Sequence, residues 1–164
     1  MHISRWVKYI VVLQCLFTLQ ACGFHFRGDY QVPEHLTQVS VNASLHNQVA
    51  SILQDALHLR SVEVVPQNRG IPHIEIGEDQ LDRRILSLLP SGQVAEYELI
   101  YTLPVAFVNE QGERTTQRIQ LTRDYQDDPN FALAKTRELE LIVSEMRDTA
   151  VQRLLILMNQ YLRE

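Results

Sequence analysis

Residues 94–108 carry an apolar or aromatic side chain at every odd position, with the charged and polar ones confined to even positions. The odd positions are Ala95, Tyr97, Leu99, Tyr101, Leu103, Val105 and Phe107, and the even positions include Glu96, Glu98 and Thr102. A period of two over this length is the signature of a β-strand with one buried and one wet face. Any fold for this chain must therefore place a cover on the odd face only. Pro104 interrupts the run as a residue without a backbone donor, which predicts a sheet edge or a bulge at that point.

The following segment, Glu113–Tyr125, carries Ile119 and Leu121 in the same parity. The two runs share a buried face only if paired residue numbers sum to an even value. A three-residue loop, Glu110-Gln111-Gly112, meets that condition. Gly112 suits the positive φ with which such loops end. A preceding arm, Ile74 to Leu89, turns at Pro90-Ser91-Gly92 and is less regular. Ile85 and Leu89 fall on one face, Leu86 and Leu88 on the other. Either a β-bulge moves one pair inward, or this tip is apolar on both faces because acyl chains or a partner's wall cover it.

Two segments supply the cover. Leu45, Val49, Ile52, Leu53, Ala56 and Leu57 recur at helical spacing, with Asn47 or Ser44 as the capping residue. Leu139, Ile142, Val143, Met146, Ala150, Leu154, Leu157 and Tyr161 form the stripe of a long C-terminal helix. Asp128 caps that helix and Pro129 fits its first turn. Short strands at Val39–Val41 and Val62–Val65 complete the set. The predicted fold is α+β, a two-layer sandwich with two helices packed on one face of a mixed four- to five-stranded sheet.

The first 21 residues stand apart from this domain. Arg5 and Lys8 precede an apolar stretch of about eleven residues, Tyr9–Leu19, well short of the roughly 20 that span a bilayer. The stretch ends in Leu19-Gln20-Ala21-Cys22. A small residue before a cysteine at this place resembles the lipobox of bacterial lipoproteins, although Ala21 also suits the peptidase of a soluble secretory signal. The lipobox reading removes residues 1–21 and makes 22–33 a lipidated linker to a single domain at 34–164. Cys22 then carries a diacylglycerol and an N-acyl chain, and multiple chains give stable anchoring where one does not. Gly23 after the cysteine, where inner-membrane lipoproteins carry Asp, favours the outer membrane.

Cys15 leaves with the signal, so the mature domain holds together without a disulfide. Removing 21 of the 164 residues leaves 143, enough for one core. Removing two of the 15 basic residues leaves 13 against 20 acids, a net charge of −7. Such a chain is not a general nucleic-acid binder, and any anion site in it is local. His25, His35, His46, His58 and His73 are scattered and lack the pairing of a metal site. The run Asp124, Asp127, Asp128 reads as a polar loop ending in a helix cap. No nucleophile motif or phosphate loop is present. The chain reads as a binding or assembly component, neither an enzyme nor a holder of a soluble cofactor. Arg83, Arg84, Arg123 and Lys135 are the cations to weigh, each of them either a rim ion pair or part of a phosphate clamp.

Three stretches resemble one family. Cys22-Gly23-Phe24-His25-Phe26-Arg27-Gly28, Ser91-Gly92-Gln93-Val94-Ala95-Glu96-Tyr97, and Asp128-Pro129 followed by Ala132-Leu133-Ala134-Lys135 are similar to LptE, in the same order and across nearly the whole chain. The resemblance implies an outer-membrane lipoprotein on the periplasmic side. It also implies a one-to-one plug in the LptD β-barrel translocon, helping that barrel assemble and binding lipopolysaccharide on its way to the cell surface. It implies lipopolysaccharide contact through Lys135 and through a basic residue at the hairpin tip. The tip position is Pro90 here, so Arg83 or Arg84 becomes the candidate substitute. The rival readings are a periplasmic-face lipid carrier, which needs a cavity between sheet and helices, and a structural lipoprotein of another envelope-assembly machine.

Overall fold

The computed structural model describes residues 32, 33 and 35–162. The signal segment 1–21, Cys22 and all but the last two residues of the 22–33 linker lie outside the described residues.

The elements run β1 Gln38–Ala43, α1 Gln48–His58, β2 Glu63–Val64, β3 His73–Ile76, β4 Gln80–Leu88, β5 Val94–Val108, β6 Arg114–Gln126 and α2 Ala132–Tyr161. β5 is the hub. One of its sides pairs with β6 along its length, Glu96↔Gln126 through Val108↔Arg114. The other side is shared, with β4 against Val94–Thr102 and β3 against Val105–Val108, all antiparallel. β1 extends the sheet in parallel beside β3, and β2 adds in parallel to β1. Parallel neighbours need a crossover, and α1 supplies it between β1 and β2. The predicted two-layer α+β class is what forms. The sheet has six strands because the 74–89 arm divides into β3 and β4.

Pro104 marks that division, and the prediction of an edge or bulge is corrected here. In an antiparallel strand, a residue's N–H and C=O point to the same side. The Pro104 carbonyl accepts the Gly77 N–H at 2.9 Å, so its missing donor faces the gap where β3 hands over to β4. No bond to β6 is lost, and a proline survives in the central strand. The approach is tight: a Cβ on Gly77 would lie 2.7 Å from Pro104 Cγ. Asn47 fastens the same point to α1. Its Oδ1 accepts the Ala50 N–H at 3.0 Å, and its Nδ2 donates to the Gly77 carbonyl at 3.3 Å. Asn47 is thus the cap. Leu45, expected on the apolar face of α1, lies before the helix and is 90% exposed.

Both hairpins use one solution. The Gly112 N–H bonds the Asn109 carbonyl and the Asn109 N–H bonds the Glu113 carbonyl, with Gly112 at φ 85°. The Gly92 and Leu89 amides repeat the pattern, with Gly92 at φ 84°. A type I turn closed by a glycine of positive φ keeps the twist of the flanking strands.

The core lies between the odd face of the sheet and the helices. Leu53, Leu57, Leu99, Leu103, Leu154 and Met158 are all fully buried there. α2 divides in two. From Met146 onward it buries Ala150, Val151, Leu154, Leu155 and Met158. Its first fourteen residues contain no fully buried side chain. The expected stripe holds through Met146, Ala150 and Leu154, with Leu139, Ile142, Leu157 and Tyr161 half-buried against the core, and Val151, Leu155 and Met158 widen it. Asp128 does cap, but it caps a 3₁₀ turn, Pro129–Phe131, that leads into α2 (Asn130 N–H to Asp128 Oδ1, 2.9 Å).

Arg147, mid-way along α2, bonds Asp79 at 2.8 Å and ties the helix to the β3–β4 joint. The buried Tyr101 hydroxyl lies beside this pair without a hydrogen-bond partner among the described residues. Burial, and then the Asp79 charge, hold its pKa well above the ordinary tyrosine value.

Two predictions follow from the joint. Gly77→Ala should push β3 from Pro104 and lower unfolding stability by about 1–3 kcal/mol, measured in urea. A raised folded-state pKa gives stability that is full below the unfolded tyrosine value and lost as pH rises through the folded one. Tyr101→Phe should leave stability at neutral pH nearly unchanged, since no hydrogen bond is lost, and should reduce its decline above about pH 10.

Candidate functional site

The end of the molecule at the β4–β5 turn departs from globular packing. β4 pairs regularly with β5 from Gln80↔Thr102 to Ile85↔Tyr97, and then its register shifts on either side of Ser87. The bulge offered by the sequence is present, yet it moves no pair into the core. Ile85 is 56% exposed and Leu88 59%, with Leu86 and Leu89 also exposed. The entry to α2 adds exposed Phe131 and Leu133, and Leu141 is exposed farther along the helix. Lone exposed leucines need no explanation, but a cluster at one end marks a contact surface.

The strand register places the cations. Arg83 pairs with Leu99 and so faces the helices, and Arg123 pairs with the same Leu99 from the other side. Two guanidinium side chains thus share one face on strands two apart, about 10 Å between backbones. Arg84 points to the open face, where it meets Glu98 at 2.6 Å. Adjacent residues on a strand cannot share a face, so the two candidate arginines are separated.

Lys135 lies on the helix side. Its Nζ is 5.4 Å from the centroid of the Tyr125 ring and 2.9 Å from Glu138. The Glu138 bond holds its pKa above the usual lysine value, so it is fully cationic at neutral pH. The Tyr125 hydroxyl donates to the Lys135 carbonyl at 3.1 Å, fixing the first turns of α2 over the sheet. The Tyr125 pKa is raised chiefly by burial and by Asp127, while the charges of Lys135 and Arg83 act against that rise. Arg83, opposite Leu99, and Tyr125, opposite Tyr97, share the helix-side face one step apart along β5, and Lys135 sits over the Tyr125 ring. A cleft of about 400 Å³ opens beside Lys135, between Leu89, Gln93 and Ala95 of the hairpin and Asp127, Asp128 and Asn130 of the helix entry.

The structure thus gathers Lys135 and Arg83, sets Arg84 apart, and adds Arg123. The parity of Arg123 with Ile119 and Leu121 was the available signal, but its position opposite Arg83 depends on strand pairing. Cys22 lies outside the described residues. Among the described residues, no three His, Cys, Asp or Glu side chains gather as metal ligands, and no helix is long and apolar enough to cross a membrane.

A filled two-layer core with one amphipathic end defines a small α+β domain of two helices on a mixed sheet. The backbone is similar to that of rare lipoprotein B from Shewanella oneidensis, with a TM-score of 0.71 and 40% identity over 75% of this chain and 94% of that one. Lipoprotein B from Nitrosomonas europaea gives a TM-score of 0.65 and 29% identity over 81% of this chain and 88% of that one. The LPS-assembly lipoprotein LptE of Pectobacterium atrosepticum is 28% identical over 153 residues, 92% of this chain and 83% of that protein. The LptE model, described as lipopolysaccharide-assembly, matches residues 35–158, and the chain belongs to the LptE family.

The exposed tip yields a direct test. Ile85→Ser with Leu88→Ser should change unfolding stability by less than about 1 kcal/mol, as expected for surface positions. The same variant should lower detergent or apolar-dye binding, measured by fluorescence.

Proposed function

We propose that this lipopolysaccharide-assembly lipoprotein is anchored by acylated Cys22 on the periplasmic side of the outer membrane. There it fills the LptD β-barrel one to one, assists its assembly, and binds lipopolysaccharide at the β4–β5 end. The observation that carries the reading is the amphipathic end itself. Exposed Ile85, Leu86, Leu88 and Leu89 lie beside Lys135, Arg83 and Arg123. A ligand with acyl chains and phosphate groups needs both kinds of surface, and guanidinium and ammonium groups pair well with phosphate oxygens.

The open face of the sheet supports the plug. It presents Glu96, Glu98, Thr102, Thr116, Arg118, Gln120 and Thr122 around Ile100, Pro104 and Ala106. No described element covers it. A mostly polar sheet face suits the polar interior of a transmembrane barrel. The carrier reading needs space between sheet and helices, and side chains fill the centre of that interface.

Lys135→Ala and Arg83→Ala should each weaken lipopolysaccharide binding about fivefold to tenfold, and the pair more, while Arg84→Ala should have little effect. Equal binding by all variants would exclude this end as the site. Purification in mild detergent should yield a one-to-one complex with a large β-barrel protein. Recovery of the chain alone, from membranes with intact barrels, would count for a structural lipoprotein of another machine.

A further inference from the structure

The sheet has three outer strands, and their free edges are not alike. β4 carries two register shifts and β2 is two residues long. Bulges and shortness are devices by which proteins blunt an edge against pairing. β6 has neither device. Its thirteen residues hold one register against β5, with no bulge and no proline. Among the described residues, no strand pairs with its outer side.

The ladder phase shows which groups are free. Asn109 and Glu113 are hydrogen-bonded across the turn, so odd-numbered β6 residues direct their backbone groups at β5. Even-numbered residues from Arg114 to Gln126 direct theirs outward, and every one is exposed. Arg153 confirms the phase by donating to the Gln120 carbonyl at 2.9 Å, which leaves a second lone pair on that oxygen.

Charge along this edge opposes that of the chain. The protein has 20 acids against 15 basic residues, yet β6 carries Arg114, Arg118 and Arg123 against Asp124 alone. Arg114 is paired with Glu75. Among the described residues, Arg118, Arg123 and Arg153 form no ion pair. Arg118 lies on the open face, Arg123 and Arg153 on the helix side, so both faces of an added strand would meet a guanidinium.

We infer that the outer edge of β6 is a docking site for an extended, acid-rich segment of a protein partner, added as a further antiparallel or parallel strand. Main-chain bonds give such binding its affinity, and side chains on alternate faces give its specificity. Strands within a closed barrel have no free edge to offer, so the segment is a loop or terminus. This rests on strand pairing and charge, and Arg123 is the one residue it shares with the lipid-binding reading.

The test uses the full chain in detergent, labelled for amide hydrogen exchange, with a short synthetic peptide of alternating glutamate and valine. The peptide should slow exchange at Arg118, Gln120 and Thr122 while leaving Ile119 and Leu121 unchanged. Arg118→Glu with Arg153→Glu, which leaves the lipid-binding cations untouched, should weaken binding about tenfold. Thr122→Pro removes an outward donor but no bond to β5, and should abolish protection. If that variant does not fold, the charge-reversal pair carries the test. The inference fails if the even-numbered amides exchange as fast with peptide as without. It fails also if a lysine–valine peptide protects equally, or if folded Thr122→Pro binds normally.

Discussion

The one-sided burial of β5 is the constraint on which the other parts of the structure depend. Its odd residues remove Leu99, Tyr101, Leu103 and Phe107 from water almost completely. At about 25 cal/mol per Å² of apolar surface, this is a large share of the folding free energy. Everything that touches β5 must respect its parity. β6 meets it through a loop of the right length, and β3 and β4 meet it by dividing at Gly77–Asp79. Without that division a single arm would have to pass Pro104, whose missing donor faces this side.

Burial stops before the end of the sheet. α1 is eleven residues long and α2 thirty, about 45 Å, so α1 accompanies only part of its partner. The unaccompanied half of α2 covers Tyr125, while Tyr97 stays half-buried. The hairpin tip, with no helix pair above it, keeps its leucines in solvent. The same shortage of cover leaves Arg83 and Arg123 room to face the helix side without a buried charge penalty. An amphipathic end arises from one short helix beside one long helix.

Much of this was legible in the residues. The β5–β6 register followed from parity and one glycine, and Gly112 has the positive φ expected of it. The helix stripes located both covers. Less legible was anything that depends on where a third element stops. Leu45 matched the spacing of α1 but precedes its cap. Pro104 looked like an edge residue because the gap between β3 and β4 exists only once both are docked. Arg123 was one cation among several until Leu99 was seen between it and Arg83.

The sequence by itself determined the layers, the faces, the hairpins and the family, since these rest on local periods, turn chemistry and a few near-contiguous motifs. The tertiary structure decided which apolar residues remain uncovered, which arginines share a face and which sheet edge is left regular and unpaired. Those outcomes turn on strand register and relative helix length. A shift of one residue exchanges the two faces of a strand, and no local stretch of sequence encodes where its neighbour ends.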